Sequence, residues 1–256
     1  MVTQLSEKLG VPVELFPASD YAGVMQGLLA GQLDTASLGA SGYAGIYLQD
    51  AEAVEPVFVS LEADGSPGYY AMMYAKATSD IHSLEDMQGK SLAFADPNST
   101  SGYLVPMKGL LDTGINLDTD LTTVMAGGHD ASLLTLDTEG CDAAFAHDAM
   151  LSTLETSGQV EEGSLRPVWE SDPITEDPIA LNRGTLDPEL ADKITTVLRE
   201  QANKPALVEA GICSSEEDCD LPEETGYGYV PVTDEDFDPI RDICRLTDAD
   251  ACKNVG

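Results

Sequence analysis

The chain has 256 residues, 43% of them hydrophobic and only 6% aromatic, which is enough for one large or two modest cores and excludes a disordered chain. Its 46 acidic against 12 basic residues leave a formal charge of -34, which excludes nonspecific binding to nucleic acid or to an anionic membrane surface. No apolar run of about 18 residues or more occurs, and no basic segment followed by an apolar stretch opens the chain, so neither a spanning helix nor an export signal is read in it.

The first residues read as the end of an amphipathic helix running into a strand, so a further strand is expected upstream. Strand-like runs then alternate with helix-like runs, the pattern of parallel sheets covered by helices. Strands are predicted over 11–16, 33–38 and 55–61, with helices over 21–30, closed by Gly31, and over 43–49. Asp64-Gly65-Ser66-Pro67-Gly68 is a turn signal before a long apolar strand over 69–75. Ser83-Leu84-Glu85-Asp86 opens a helix as a capping box, and a strand over 91–95 leads to a helix over 99–111 with Gly114 past its end. Strands over 121–125 and 142–146 are each followed by a helix, from about Asp130 and over 149–155; strands return over 166–170 and 179–181. Asp187-Pro188 caps a helix running to about Ala202, and a last helix lies near 234–246. The strands near 70–75 and 179–181 read as crossings between two lobes, residues 1–72 with 183–256 and residues 73–182, with a ligand cleft expected between them.

Cys213, Cys219, Cys244 and Cys252 crowd the end of the chain and read as two disulfides; three pairings exist and the short loops favour the sequential one. Oxidised pairs imply an extracytoplasmic home. Cys141, in an apolar run, reads as a buried small residue. No C-x-x-C, no metal spacing among His82, His129 and His147, and no Asp-x-Asp-x-Asp-Gly loop is present, so no metal or cofactor is expected and the acidic stretches read as solvated faces. None of the G-x-S-x-G, S-x-x-K, H-E-x-x-H or G-x-x-x-x-G-K-[ST] patterns occurs, which argues against an enzyme.

The most informative stretch is Asp96-Pro97-Asn98-Ser99-Thr100-Ser101-Gly102-Tyr103-Leu104-Val105-Pro106. Three hydroxyl residues stand where a strand gives way to a helix, so the free amides of the first turn and the hydroxyls together offer donors to an oxyanion. Taken alone the cluster also reads as an ordinary helix cap. Lys108 is the nearest cation in sequence, so an anion here would be gripped by neutral dipoles, which suits reversible capture. Other donors and acceptors fall at the carboxyl ends of predicted strands, where sheets of this type bind ligands: Tyr21, Tyr69, His129 and Asp177.

On these residues the chain resembles the periplasmic phosphonate-binding proteins of ABC transporters. Ser19-Asp20-Tyr21-Ala22-Gly23-Val24, Gly65-Ser66-Pro67-Gly68-Tyr69-Tyr70, the stretch over 96–106, Gly128-His129 and Asp177-Pro178 fall in that family's order at compatible spacing, whereas the Cys-rich acidic tail looks unlike it. The resemblance implies a two-lobed, type II α/β fold with mixed sheets. It further implies that Ser99, Thr100, Ser101 and His129 hold a phosphonate, that Tyr21 and Tyr69 close over it, and that Asp177 faces the amino group of 2-aminoethylphosphonate. The second carboxylate that family members use for that ammonium aligns with Ala149, beside Asp148, so an alkylphosphonate, phosphite or phosphate stays open. A periplasmic monomer that delivers its ligand to a permease and an ATPase, without a cofactor, is the expected working form; a sensor or a carrier that works without a transporter is the alternative.

Overall fold

The computed structural model describes residues 2–18, 20–62, 65, 68–219, 221 and 226–253. In chain order, α1 (Val2–Leu9), α2 (Tyr21–Leu29), β1 (Thr35–Ser37), α3 (Ala40–Gln49) and β2 (Glu55–Glu62) precede β3 (Gly68–Tyr69) and β4 (Ala71–Lys76). There follow β5 (Ser91–Phe94), α4 (Val105–Asp112), α5 (Leu117–Asp120), β6 (Thr122–Met125), α6 (His129–Asp137), β7 (Ala143–His147), α7 (Met150–Thr156) and β8 (Leu165–Glu170). The last elements are β9 (Ile174–Thr175), β10 (Pro178–Leu181), α8 (Pro188–Gln201), α9 (Lys204–Glu209), β11 (Gly226–Pro231) and α10 (Asp238–Thr247).

Two compact units result: Met1–Gly68 with Thr175–Asp238, and Tyr69–Ile174 with Pro239–Asn254. The expected division placed the outgoing crossing at 72/73 and the returning one at 182/183, and gave the whole C-terminal end to the first unit. In the structure β10 already belongs to the first unit, and α10 enters the second after its first residue. The sequence of α10 is amphipathic, and its apolar face is buried at Ile240 and Cys244.

The first unit holds a sheet ordered β1-β10-β2-β11, and its pairs are antiparallel. Alternating helices and strands predict parallel pairing, but β10 and β11 come from chain that has returned from the second unit. β10 inserts between β1 and β2 in the opposite direction. Phe58, Leu181, Ala191 and Ile194 pack beneath this sheet, with α8 capped as expected: Asp187 Oδ1 accepts from the Glu189 and Leu190 N–H groups at 2.9 and 3.4 Å.

The second unit is ordered β6-β5-β7-β4-β8, with β5 parallel to β6 and β7, and β4 antiparallel to β7 and β8. The carboxyl ends of β5, β6 and β7 therefore open on one edge. Alternate residues of β7 enter two cores: Phe145 packs with Met73, Leu92 and Phe94, whereas Ala144 and Ala146 pack with Leu133 and Leu136. A strand buried on both faces accounts for the unbroken apolar run at 143–146.

Residues 11–16, predicted as a strand, have no strand partner among the described residues, and Leu15 and Phe16 stand exposed. Conversely, Gly226–Pro231, for which the sequence predicts no element, forms β11; it lies at the edge of its sheet, where proline is tolerated. The capping box at Ser83 and Asp86 is present but opens a single 3-10 turn, Leu84–Met87. The disulfides are the sequential pair, Cys213–Cys219 and Cys244–Cys252, while Cys141 is free and buried, its thiol pKa pushed up to about 11 by burial.

With nearly four acidic residues to each basic one, carboxylate repulsion opposes folding. Raising salt from about 0.1 M to about 1 M shortens the screening length from ~10 to ~3 Å. The thermal midpoint is expected to rise across that range in calorimetric scans; a flat or falling midpoint would show that self-repulsion contributes little to stability.

Candidate anion-binding site

The Ser99 turn is wider than the α-helix predicted for it. Leu104 N–H donates to Ser99 O at 3.0 Å and Val105 N–H to Thr100 O, so each bond spans five residues before α4 takes up a regular course. Pro106 explains the widening. It has no N–H to give to Gly102 O, and in an α-helix its ring would strike that carbonyl. Gly102 O instead accepts from Ala95 N–H at 3.1 Å, and Ser99 Oγ caps the turn by accepting from Gly102 N–H at 3.0 Å. Gly102 must be glycine: a Cβ there would lie 2.5 Å from Ala95 Cβ and 2.9 Å from His129 Cε1. The result is a row of buried hydroxyl residues, with Ser99 and Thr100 each 2% and Ser101 1% exposed.

Ala95 also fixes the second loop of the site. Its carbonyl accepts from Gly127 N–H at 2.7 Å, next to the bond from Ala126 N–H to Phe94 O at 2.9 Å. Gly127 adopts φ +95°, which a side chain would resist. His129 then opens α6 with its Nε2 3.1 Å from Ser99 Oγ, while His147 N–H, at the end of β7, donates to its Nδ1 at 3.2 Å. The two imidazole rings meet edge to face at 4.9 Å. An amide N–H can only donate, so Nδ1 is bare and the neutral ring carries its hydrogen on Nε2. Burial, reinforced by His147, pushes the His129 pKa down from 6.5 to about 3, so the ring is neutral at neutral pH. Lys108 is engaged one turn along α4 by Asp112. An oxyanion at this turn would meet hydroxyl and amide dipoles.

The remaining candidates are distributed over both units. Tyr69 lies in β3, half-buried. Asp148 follows β7, exposed; its N–H donates to Tyr70 O and its Oδ1 accepts from Ala149 N–H, both at 3.2 Å. Ala149 precedes α7 and adds no polar group. In the first unit, Tyr21 begins α2, half-buried behind its cap Asp20, which accepts from Gly23 N–H at 2.7 Å. Asp177 Oδ1 accepts from Ala40 N–H at 3.2 Å, at the start of α3, where Gly39 offers no capping side chain. Thus Asp177 helps to anchor a helix, a role its position before Pro178 does not reveal. Ser19, Ser66 and Pro67 lie outside the described residues. Sequence reasoning also missed Ala95 and His147. The spacing of Gly102 and Pro106 signals the widened turn, whereas nothing signals a backbone contact such as that of His147.

A family model described as the phosphonate periplasmic substrate-binding protein of ABC transporters matches residues 1–237. The phosphate-import protein PhnD of Mycolicibacterium smegmatis is 36% identical over 262 residues, covering 99% of this chain and 81% of that protein. The phosphonates-binding periplasmic protein of Escherichia coli is 34% identical over 199 residues, covering 74% of this chain and 56% of that protein. Among solved structures, PhnD1 from Prochlorococcus marinus in complex with methylphosphonate aligns with a TM-score of 0.79 at 15% identity, over 97% of this chain and 90% of that one, a likeness of fold.

The neutral His129 ring makes stability depend on pH. As pH falls below about 6.5 the unfolded chain protonates this histidine while the folded one does not, so stability falls by about 1.4 kcal/mol per pH unit until pH nears the folded pKa. Chemical denaturation of wild type and His129→Gln at several pH values from about 6 to about 4 is expected to show wild type losing stability relative to the variant at that slope. Parallel losses in the two proteins would mean that the folded ring titrates normally.

Proposed function

The chain belongs to the periplasmic substrate-binding proteins of phosphonate ABC transporters, with their type II α/β fold, and from that premise we propose that it captures a phosphonate or close oxyanion relative on the Ser99 turn. The observation that carries this reading is the turn itself, where buried hydroxyl residues, turn amides and a neutral imidazole converge while Lys108 is occupied by Asp112. Ser99, Thr100, Ser101 and His129 hold the oxyanion; Tyr21 and Tyr69 close over it and Asp177 meets the amino group of an aminophosphonate. Dipoles that grip without neutralising suit release to a permease and its ATPase better than phosphoryl chemistry, where cationic or metal clamps are usual. The family is a transporter component rather than an enzyme. The protein works in the periplasm as a monomer, its disulfides formed in that oxidising compartment.

Two features favour a second reading, an oxyanion without an amine. Ala149 supplies no carboxylate where the family resemblance expects one, and the Asp177 carboxylate already accepts from Ala40 N–H. The M. smegmatis relative, named for phosphate import, and the Prochlorococcus protein, solved with methylphosphonate, handle such ligands.

Calorimetric titration of ligand-stripped protein with 2-aminoethylphosphonate, methylphosphonate, phosphite and phosphate at matched salt separates the two. Asp177→Asn removes the charge but keeps an oxygen for Ala40 N–H. It is expected to weaken the aminophosphonate about tenfold and to leave methylphosphonate unchanged. Equal effects on both ligands would remove the ammonium role. Ser99→Ala is expected to cost each ligand about 1.5 to 3 kcal/mol, the worth of a hydrogen bond to a charged group, and unchanged affinity would remove the site.

A further inference from the structure

We infer that residues 234–252 form a strap: a third covalent link between the two units, pinned in each, that restrains their movement and so slows ligand release. Among the described residues the chain passes between the units three times, at 68/69, 174/175 and 238/239. The match to the family model ends at residue 237, just before the third passage. This passage has no slack. Asp238 is helical (φ -54°, ψ -42°); it closes the 3-10 turn Asp234–Phe237 and is also the first residue of α10, so no loop separates the two.

In the first unit the turn is riveted to α3. Tyr43 Oη donates to Asp234 Oδ1 at 2.6 Å, and the buried ring of Phe237 packs edge-on against Tyr43 at 4.8 Å. The same helix holds the chain just past the second passage, through the bond from Ala40 N–H to Asp177. Pro239 ties the two passages together. It has no N–H to give to Asp236 O three residues back, and Thr175 Oγ1 donates to that carbonyl instead, at 2.9 Å. Thr175 is the first residue after the second passage. In the second unit α10 buries Ile240, Arg241 and Cys244. The chain then reverses at Asp248, φ +55°, and the Cys244–Cys252 disulfide clasps the returning turn to the helix, with Ala249 and Cys252 buried. Movement of one unit against the other therefore has to bend helical backbone at Asp238 or unseat a pinned end.

The slowing of release rests on the proposed closure of Tyr21 and Tyr69 over the oxyanion; the restraint itself does not. The test is a slack variant, with about six Gly and Ser residues inserted between Asp238 and Pro239, which keeps every pin and the disulfide. Spin labels on Glu52→Cys and Glu162→Cys, exposed positions of the first and second unit, report distances without any ligand. Slack is expected to broaden the distance distribution, and an unchanged distribution would overturn the strap. Stopped-flow release is then followed for methylphosphonate, phosphite, phosphate and 2-aminoethylphosphonate. The ligands that bind are expected to leave the slack variant about fivefold faster or more than wild type. Equal rates beside broadened distances would overturn the control of release. Thr175→Val, which removes only the donor to Asp236, is expected to speed release by a smaller factor; a lowered thermal midpoint with release unchanged would remove that bond from the strap. Failure of wild type to bind any of the four ligands would overturn the oxyanion reading, while the distance distributions still decide the strap.

Discussion

The site depends on the close approach of Gly102 to Ala95. The two backbones come near enough for Ala95 N–H to bond Gly102 O at 3.1 Å, and a Cβ on Gly102 would lie 2.5 Å from that of Ala95. The same Ala95 holds Gly127 through its carbonyl. One residue just past the end of β5 therefore fixes both loops, the one that carries Ser99 and the one that delivers His129. Pro106 makes the arrangement possible by releasing Gly102 O from the helix, so the widened turn is a consequence of covalent structure rather than of a ligand.

A protein of charge -34 that takes an anion faces long-range repulsion, and the proposed site answers it locally with preorganised dipoles. In the proposed site the hydroxyl residues and turn amides are held by the fold's own hydrogen bonds, which lowers the cost of ordering them around a ligand. A cation in the same place would bind more tightly and release more slowly. The neutral state of His129 belongs to the same logic: burial and His147 hold the ring uncharged, so it contributes direction to a hydrogen bond without adding a charge that must be desolvated.

Much of this was legible in the sequence because it is local. The Ser99 cap, the Asp187-Pro188 helix start and the sequential disulfides each follow from residues within a few positions of one another. What was not legible is long-range. β10 slots between β1 and β2 only after the chain has returned from the second unit, so alternation of elements says nothing of its antiparallel sense. Asp177 meets Ala40 across 137 positions, and its cap on α3 leaves no trace beside Pro178. The role of His147 is carried by its backbone N–H, which every residue except proline possesses, so no side-chain pattern can announce it. The segment at 11–16 alternates like a strand, yet hydrophobic pattern names a face and not a partner.

The most direct test of the account is an amide and imidazole 15N chemical-shift titration of the labelled protein with methylphosphonate. The account predicts that the largest perturbations fall on the Thr100, Ser101 and Gly102 amides and on the His129 ring, with the His129 tautomer unchanged on saturation. Saturable binding that leaves these signals in place and moves another set would contradict it.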